Sequence, residues 1–456
     1  MSNLPIERSI AATVLALASW TLSAGDWRDK VDVAVWTQAA KSAAPIDVLI
    51  TPTTPAKAAV DVLALSERTA PAERPRVIHA ALQSVADASQ RDVLAWLARE
   101  GIAHRRFVVV NAIAATMPPD KLSALAKRAD RCRASIPDPL IRRCRPKTEP
   151  MLFGKAITAL EPGVSYINAD DVWALPGNPR GAGVVIAGQD TGYRWTHPAI
   201  KANYLGWNGI TADHNYAWHD AIPRRRAQTC GANSLAPCDD SQHGTHTMGT
   251  MVGDNGSNRI VGVAPDAKWI GCRNMEEGNG TPTPTWNAST GSSPQPISPA
   301  RIPTRRKRRT SSTIPGAVRP PRVATQARHR DQCDTAVANL TAAGVLVVAS
   351  AGNSGSACST VNDPPAMFSE SFSVGAWQQR PAPTIASFSS RGPVTEDGRN
   401  RMKPDIAAPG VGVRSSRLAG IPRTAMSGTS MAGPHVAGSA ALLMSADPHR
   451  DAIRWW

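Results

Sequence analysis

Two apolar runs constrain the fold of this 456-residue chain more than any other feature. Val184-Val185-Ile186-Ala187 runs into Gly188-Gln189-Asp190-Thr191-Gly192, and Val345-Leu346-Val347-Val348-Ala349-Ser350 runs into Ala351-Gly352-Asn353. Short and almost wholly apolar, each reads as a buried strand. Open α/β sheets place their sites at the carboxyl ends of such strands, where Asp190 lies.

A third stretch sits near the end of the chain. Gly428-Thr429-Ser430-Met431-Ala432-Gly433-Pro434 sets a serine between a glycine turn and an apolar helix running from Val436 to Met444. A hydroxyl is a weak nucleophile at its own pKa and needs a neighbouring base. Read alone, Ser430 is a helix N-cap, Asp190 a turn residue after a strand, and Asn353 a left-handed turn residue beside glycines. His243-Gly244-Thr245-His246-Thr247-Met248-Gly249 opens a helix of small residues. Its two histidines also admit a metal pair, but no Glu or third ligand accompanies them at zinc-site spacing.

Together, D-T-G at Asp190, H-G-T-H at His243 and G-T-S-M-A at Ser430 closely resemble the subtilisin-like serine proteases, in the chain order Asp, His, Ser. The resemblance covers roughly residues 165–277 and 331–445, including Ser387 to Gly392 and Lys403 to Gly410. It implies an α/β fold, a doubly wound and mostly parallel sheet, preceded by a small α+β propeptide domain. It implies peptide-bond hydrolysis by a serine endopeptidase through an acyl-enzyme on Ser430. His243 would be the general base, Asp190 would orient its imidazole, and Asn353 would be the side-chain donor of the oxyanion hole beside the Ser430 N–H. His246 and Asp405 are read as structural. The implied partners are polypeptide substrates and the chain's own propeptide as an intramolecular inhibitor. No organic cofactor is implied; structural calcium is common in the family, but no ligand set can be assigned to it here.

The domain order follows. Residues 1–24 hold one arginine, a short apolar run and small residues, as a secretory signal does, which makes the expected location extracellular; an ordinary helix is the alternative. Residues 30–135 read as a compact α+β unit. Ile46–Ile50 and Phe107–Val110 are expected strands, and Ile78, Leu82, Val85, Val93 and Leu97 mark a helix that Gly101 stops. Pro118-Pro119-Asp120 opens a further helix. This unit is the propeptide, or else a structural domain that stays attached. Residues 136–160 are the linker and processing region, and 161–456 the catalytic domain. Only 26 residues follow Ser430, which reads as a truncated C-terminus with weak support for the nucleophile helix. No run of about 18 apolar residues is present to span a membrane.

The formal charge of +15 is local. Residues 278–330 carry ten Lys or Arg and no Asp or Glu, so the rest of the chain holds only +5. Nine prolines fall in the same stretch, and apolar periodicity disappears. By composition, 283–330 is a disordered basic loop lacking the helix and substrate-pairing strand that the family supplies there. A shifted reading frame explains the anomaly. Codons formed from the last base of one triplet and the first two of the next can be read as D-V-I-N-N-S-W-G-C across Thr310–Val318. Two rival functions follow: a catalytically inactive relic of the same fold, and a nucleic-acid-binding protein acting through 301–330. The latter lacks interleaved aromatic residues, so no nucleic-acid partner is expected. Of seven cysteines, Cys230 and Cys238 are expected to pair, Cys333 and Cys358 are a second candidate pair, and Cys272 lacks a partner.

Overall fold

The computed structural model describes residues 27–52, 61–128, 132–135, 141–142, 147–150, 160–222, 229–231, 233–256, 260–280, 309–314, 325–378, 383–396, 398–416 and 424–447. The segment read as a secretory signal lies outside them, as do 448–456.

The N-terminal unit holds α1 (Val33–Lys41), β1 (Ile46–Pro52), α2 (Val62–Glu67), α3 (Arg74–Arg99), β2 (His104–Phe107), β3 (Ala112–Met117), α4 (Leu122–Arg128) and β4 (Cys132–Ser135). Asp32 and Asp61 cap α1 and α2 by accepting the N–H groups of Ala34 and Ala64. Gly101, at φ 66°, ends the helical path of α3. The strands form an antiparallel sheet ordered β2-β3-β1-β4. Ile46, Val48 and Ile50 alternate toward one face and share a core with Trp96, Leu97, Leu122 and Leu125.

One expected strand is corrected. β2 ends at Phe107, and Val108–Asn111 form a turn with Asn111 at φ 46°. The valines are buried for another reason: they dock on the helix Thr325–Ala342. Val109 and Val110 share a cluster with Ala336, Val108 with Ala342, and Asn339 donates to the Val109 carbonyl at 2.7 Å.

The linker is not free of structure. It supplies β5 (Ile141–Arg142) and β6 (Lys147–Pro150). The C-terminal unit then runs α5 (Pro162–Tyr166), α6 (Ala169–Trp173), β7 (Val184–Asp190), α7 (Pro198–Lys201), β8 (Trp218–Asp220), α8 (His243–Val252), β9 (Lys268–Arg273), β10 (Met275–Glu276), β11 (Asn279–Gly280), β12 (Arg309–Ile314), α9 (Thr325–Ala342), β13 (Leu346–Ser350), β14 (Ser371–Gln378), β15 (Thr384–Ile385), β16 (Ile406–Pro409), β17 (Thr424–Ser427) and α10 (Thr429–Ala446). Its eight-stranded sheet runs β15-β14-β13-β12-β7-β9-β8, with β16 beside β14. Every pairing is parallel except β14 with β15. Helices cover both faces, because successive residues of β13 point to opposite cores. Leu346 and Val348 join α10's Ala437 and Ala441, while Val347 and Ala349 join α9's Val337.

β12 corrects the expectation that 283–330 contributes no strand. Arg309–Ile314 fills the slot between β7 and β13, with Ser311 opposite both Ile186 and Leu346. Two buried parallel strands facing a gap would leave a double row of unpaired backbone groups, and a strand in the slot satisfies both rows. Thr310, Thr313 and Ile314 suit it as β-branched residues. Helix α9 also starts inside the stretch, at Thr325. β12 supplies the central strand that the relic reading counted as missing; the substrate-pairing edge it also counted as missing is not tested, since 281–308 and 315–324 lie outside the described residues. The helix carrying Ser430 is not weakly supported either. Met431, Ala432, Ala437 and Ala441 are fully buried, and α10 packs on α8 and on β7, β12, β13, β14 and β16.

Candidate active site

The chain passes from β7 across to β9 and later returns to β12, so β7 has neighbours from both halves of the sheet. Its carboxyl end is the switch point where open sheets leave a crevice. Asp190 is the last residue of β7 and wholly buried, and the Asn274 N–H holds its carbonyl at 3.0 Å. α8 starts beside it at His243, after Gln242 at φ 64°. Gly192 at φ 104° turns the chain away, and Gly244 leaves no room for a side chain: an added Cβ would stand 2.0 Å from the Gly192 carbonyl oxygen. Glycine is required at both positions.

The His243 Nδ1 lies 2.7 and 2.8 Å from the two Asp190 oxygens. The carboxylate also accepts the Thr191 N–H at 2.7 Å and faces the Thr247 hydroxyl at 3.0 Å. A carboxylate only accepts, so Nδ1 carries the ring proton and Nε2 presents its lone pair. Thr247 lies one helical turn beyond His243 and therefore on the same face of α8.

Ser430 is the second residue of α10 rather than its N-cap; Gly428 holds that position. The first N–H groups of a helix have no intrahelical acceptor, and Ser430 supplies one of them. Thr429 ties this turn to the end of β13. Its N–H and hydroxyl both reach Asn353 Oδ1, at 2.9 and 3.0 Å, and its carbonyl accepts the Ser350 hydroxyl at 3.1 Å. With Oδ1 engaged twice, the amide of Asn353 has its N–H₂ end left for another acceptor. Gly352, not Asn353, takes the left-handed conformation there (φ 103°).

Direct contact thus joins Asp190 to His243, and Thr429 joins Ser430 to Asn353. The helices that carry the two pairs, α8 and α10, pack against each other. His246 serves this packing. Its Nε2 donates to the Val413 carbonyl at 3.1 Å, and Val413 bridges to Met426 in β17, the strand leading to Ser430. Asp405 has the structural role expected, accepting from the Ser373 N–H and hydroxyl and from Lys403. Among the described residues no group of three or more His, Cys, Asp or Glu side chains could hold a metal ion.

Cys230 and Cys238 form the expected disulfide. Cys333 and Cys358 do not form one: Cys333 sits on α9 against the docked N-terminal turn, whereas Cys358 lies exposed in the loop after β13. Cys272 is buried in β9 and carries a thiol. Beside it, the buried Arg273 binds both oxygens of Asp220, at 3.1 and 3.0 Å, and Asp240 at 3.1 Å, and donates to the Gly231 carbonyl. Thr191, Thr247, Thr429 and Asp239 were not singled out by sequence. The i, i+4 spacing of Thr247 from His243 was the available signal for one of them.

Residues 181–456 match the profile of Peptidase_S8, the subtilase family. Bacillopeptidase F of Bacillus subtilis (strain 168) is 32% identical over 396 residues, covering 80% of this chain and 25% of that protein. The major intracellular serine protease of the same organism is 27% identical over 293 residues, 63% of this chain and 76% of the relative. The chain therefore spans a quarter of the length of the first relative and three quarters of the second. Among solved structures, Sphericase matches with a TM-score of 0.44 at 26% identity, covering 62% of this chain and 85% of that one.

Proposed function

The chain belongs to the subtilase family, and on that premise we propose that it is a serine endopeptidase acting through an acyl-enzyme on Ser430. The observation that carries this reading is the buried pair of His243 and Asp190, with Nδ1 within 2.8 Å of both carboxylate oxygens at the mouth of the central strand. Nε2 takes the Ser430 proton as Oγ attacks the peptide carbonyl, then returns it to the leaving amine. Asp190 keeps the imidazole in the productive tautomer and stabilises the imidazolium. The Asn353 amide and the Ser430 N–H receive the oxyanion. Water then repeats the sequence to release the acyl group. These steps call on no cofactor.

The N-terminal unit acts as an intramolecular inhibitor in this reading. Two pairings support it: β5 lies antiparallel on β11, and β6 lies antiparallel on β17, the strand that leads into Gly428-Thr429-Ser430. Strand β6 thereby lies extended against the strand that precedes the serine, as a polypeptide substrate would. Secretion is proposed from the N-terminal apolar segment and from the Cys230–Cys238 disulfide, which persists in oxidising surroundings. The shifted frame remains the proposal for 283–330; a fresh nucleotide read across those codons tests it, and an uninterrupted frame matching the present residues refutes it.

The function is tested by incubating the purified full chain with an unstructured polypeptide such as casein. Cleavage that disappears in Ser430→Ala supports the reading; equal cleavage by both proteins, or none by folded protein freed of its N-terminal unit, refutes it.

A further inference from the structure

The joint between β7 and α8 is held by a side chain outside the proposed catalytic set. Asp239 follows the disulfide-bonded Cys238, and its residue is 8% exposed. Its Oδ1 accepts the Thr191 hydroxyl at 2.8 Å, the Ser241 N–H at 3.1 Å and the Gln242 N–H at 2.8 Å. Its Oδ2 accepts the Thr245 N–H at 2.9 Å and the Thr245 hydroxyl at 2.6 Å. Thr191 in turn accepts the Gly244 N–H at 3.1 Å and donates its own N–H to Asp190. One carboxylate therefore grips the residue after Asp190, the two residues before His243 and the residue two beyond it.

The surrounding backbone gives this grip a fixed frame. Gly192 bridges to Asp239, and the Tyr193 N–H donates to the Cys238 carbonyl at 3.2 Å. A Cβ on Gly192 would stand 1.8 Å from that carbonyl oxygen. The disulfide to Cys230 and the Arg273 bonds to Asp240 and Gly231 hold the far side of the loop.

We propose that Asp239 is a positioning residue, whose five hydrogen bonds set the first turn of α8 against the end of β7 so that His243 meets both oxygens of Asp190 before substrate arrives. This rests on the protease reading for its effect on rate, but not for its effect on the imidazole. Asp239→Asn keeps the shape while turning one acceptor into a donor. Either oxygen so replaced faces N–H and O–H donors, so the first turn of α8 must shift. A misplacement of about 1 Å costs on the order of 10²-fold in rate.

Two measurements on the full chain test the proposal. The first is the imidazole midpoint of His243 by NMR, with and without Asp239→Asn in a Ser430→Ala background. Loss of contact with the Asp190 carboxylate lowers that midpoint. The second is kcat and KM of Asp239→Asn per site titrated with a fluorophosphonate. The expected result is a kcat lower by about 10- to 100-fold at unchanged KM, with the acid limb of kcat/KM displaced to lower pH. A purely structural role would reduce the number of titratable sites and leave kcat per site and the acid limb where they were. An unmoved His243 midpoint together with unchanged kcat per site overturns the proposal. A His243 midpoint that responds to Asp239 in a chain whose Ser430 takes no fluorophosphonate overturns the protease reading and leaves the positioning role supported.

Discussion

Replacing Asp190 by Asn changes one atom, and the structure dictates where it goes. Placing the amide nitrogen at the Oδ1 position would set it against the Thr191 N–H at 2.7 Å, donor facing donor. At the Oδ2 position it meets the Thr247 hydroxyl, which can turn its hydrogen to the Gly244 carbonyl at 3.0 Å and accept instead. The amide nitrogen therefore settles 2.8 Å from His243 Nδ1 and donates to it. That favours the tautomer with the proton on Nε2, which cannot take the Ser430 proton. In an unrelated serine protease a tautomer error of this kind lowers kcat by about 10⁴-fold, or about 5.4 kcal/mol of barrier. The expected result for Asp190→Asn is a loss of that order in kcat at neutral pH, little change in KM, and a near-native melting curve. The assay is steady-state turnover of a chromogenic peptide by protein freed of its N-terminal unit. A loss below about tenfold in folded protein would show that the carboxylate does not set the tautomer, and the argument from these distances would fail.

Three further outcomes are expected. Asn353→Asp keeps the oxygen that accepts from Thr429 at 2.9 and 3.0 Å but removes the amide donor; kcat falls at least 10²-fold on the scale of about 2.7–4 kcal/mol for a lost oxyanion donor, with stability retained, and an active variant would remove Asn353 from the mechanism. His435 is fully buried one turn beyond Ser430, and burial pulls its pKa from 6.5 to about 4. The folded state binds this proton less readily than the unfolded chain, so the associated stability is complete above pH 6.5 and is lost as pH falls toward 4. Its full size is about 3 kcal/mol. Denaturant titrations of the wild type should show a fall over this window that His435→Gln lacks, and parallel curves would contradict it. Replacing Cys230 and Cys238 by Ser opens a loop closed across eight residues, and stability should drop by about 2.5 kcal/mol in denaturant unfolding; no change would mean that the loop is ordered in the unfolded chain too.

The site was legible where its residues sit in short motifs flanked by glycines, because strand ends and tight helix starts need those glycines locally. Asp190, His243 and Ser430 each announce themselves in this way. Asp239 did not, since its role depends on Thr191 and Thr245 arriving from separate elements. Val108–Val110 misled because an apolar run records burial without saying against what; here the partner is α9, more than 200 residues away in the chain. β12 was illegible for the opposite reason. Ile314 is the one apolar residue of Arg309–Ile314, and the strand's place is defined by the facing edges of β7 and β13. The Cys230–Cys238 bond was readable from proximity in sequence, while Cys333 and Cys358 depend on how α9 and a distant loop lie.

The most direct test of the central claim is covalent labelling of the serine. The protein, freed of its N-terminal unit, is treated with a fluorophosphonate and digested, and the modified residue is identified by mass spectrometry. The account predicts a single phosphonylated site at Ser430 that disappears in His243→Ala, because Nε2 must take the hydroxyl proton. Folded protein that takes no label, or that labels equally without His243, would contradict it.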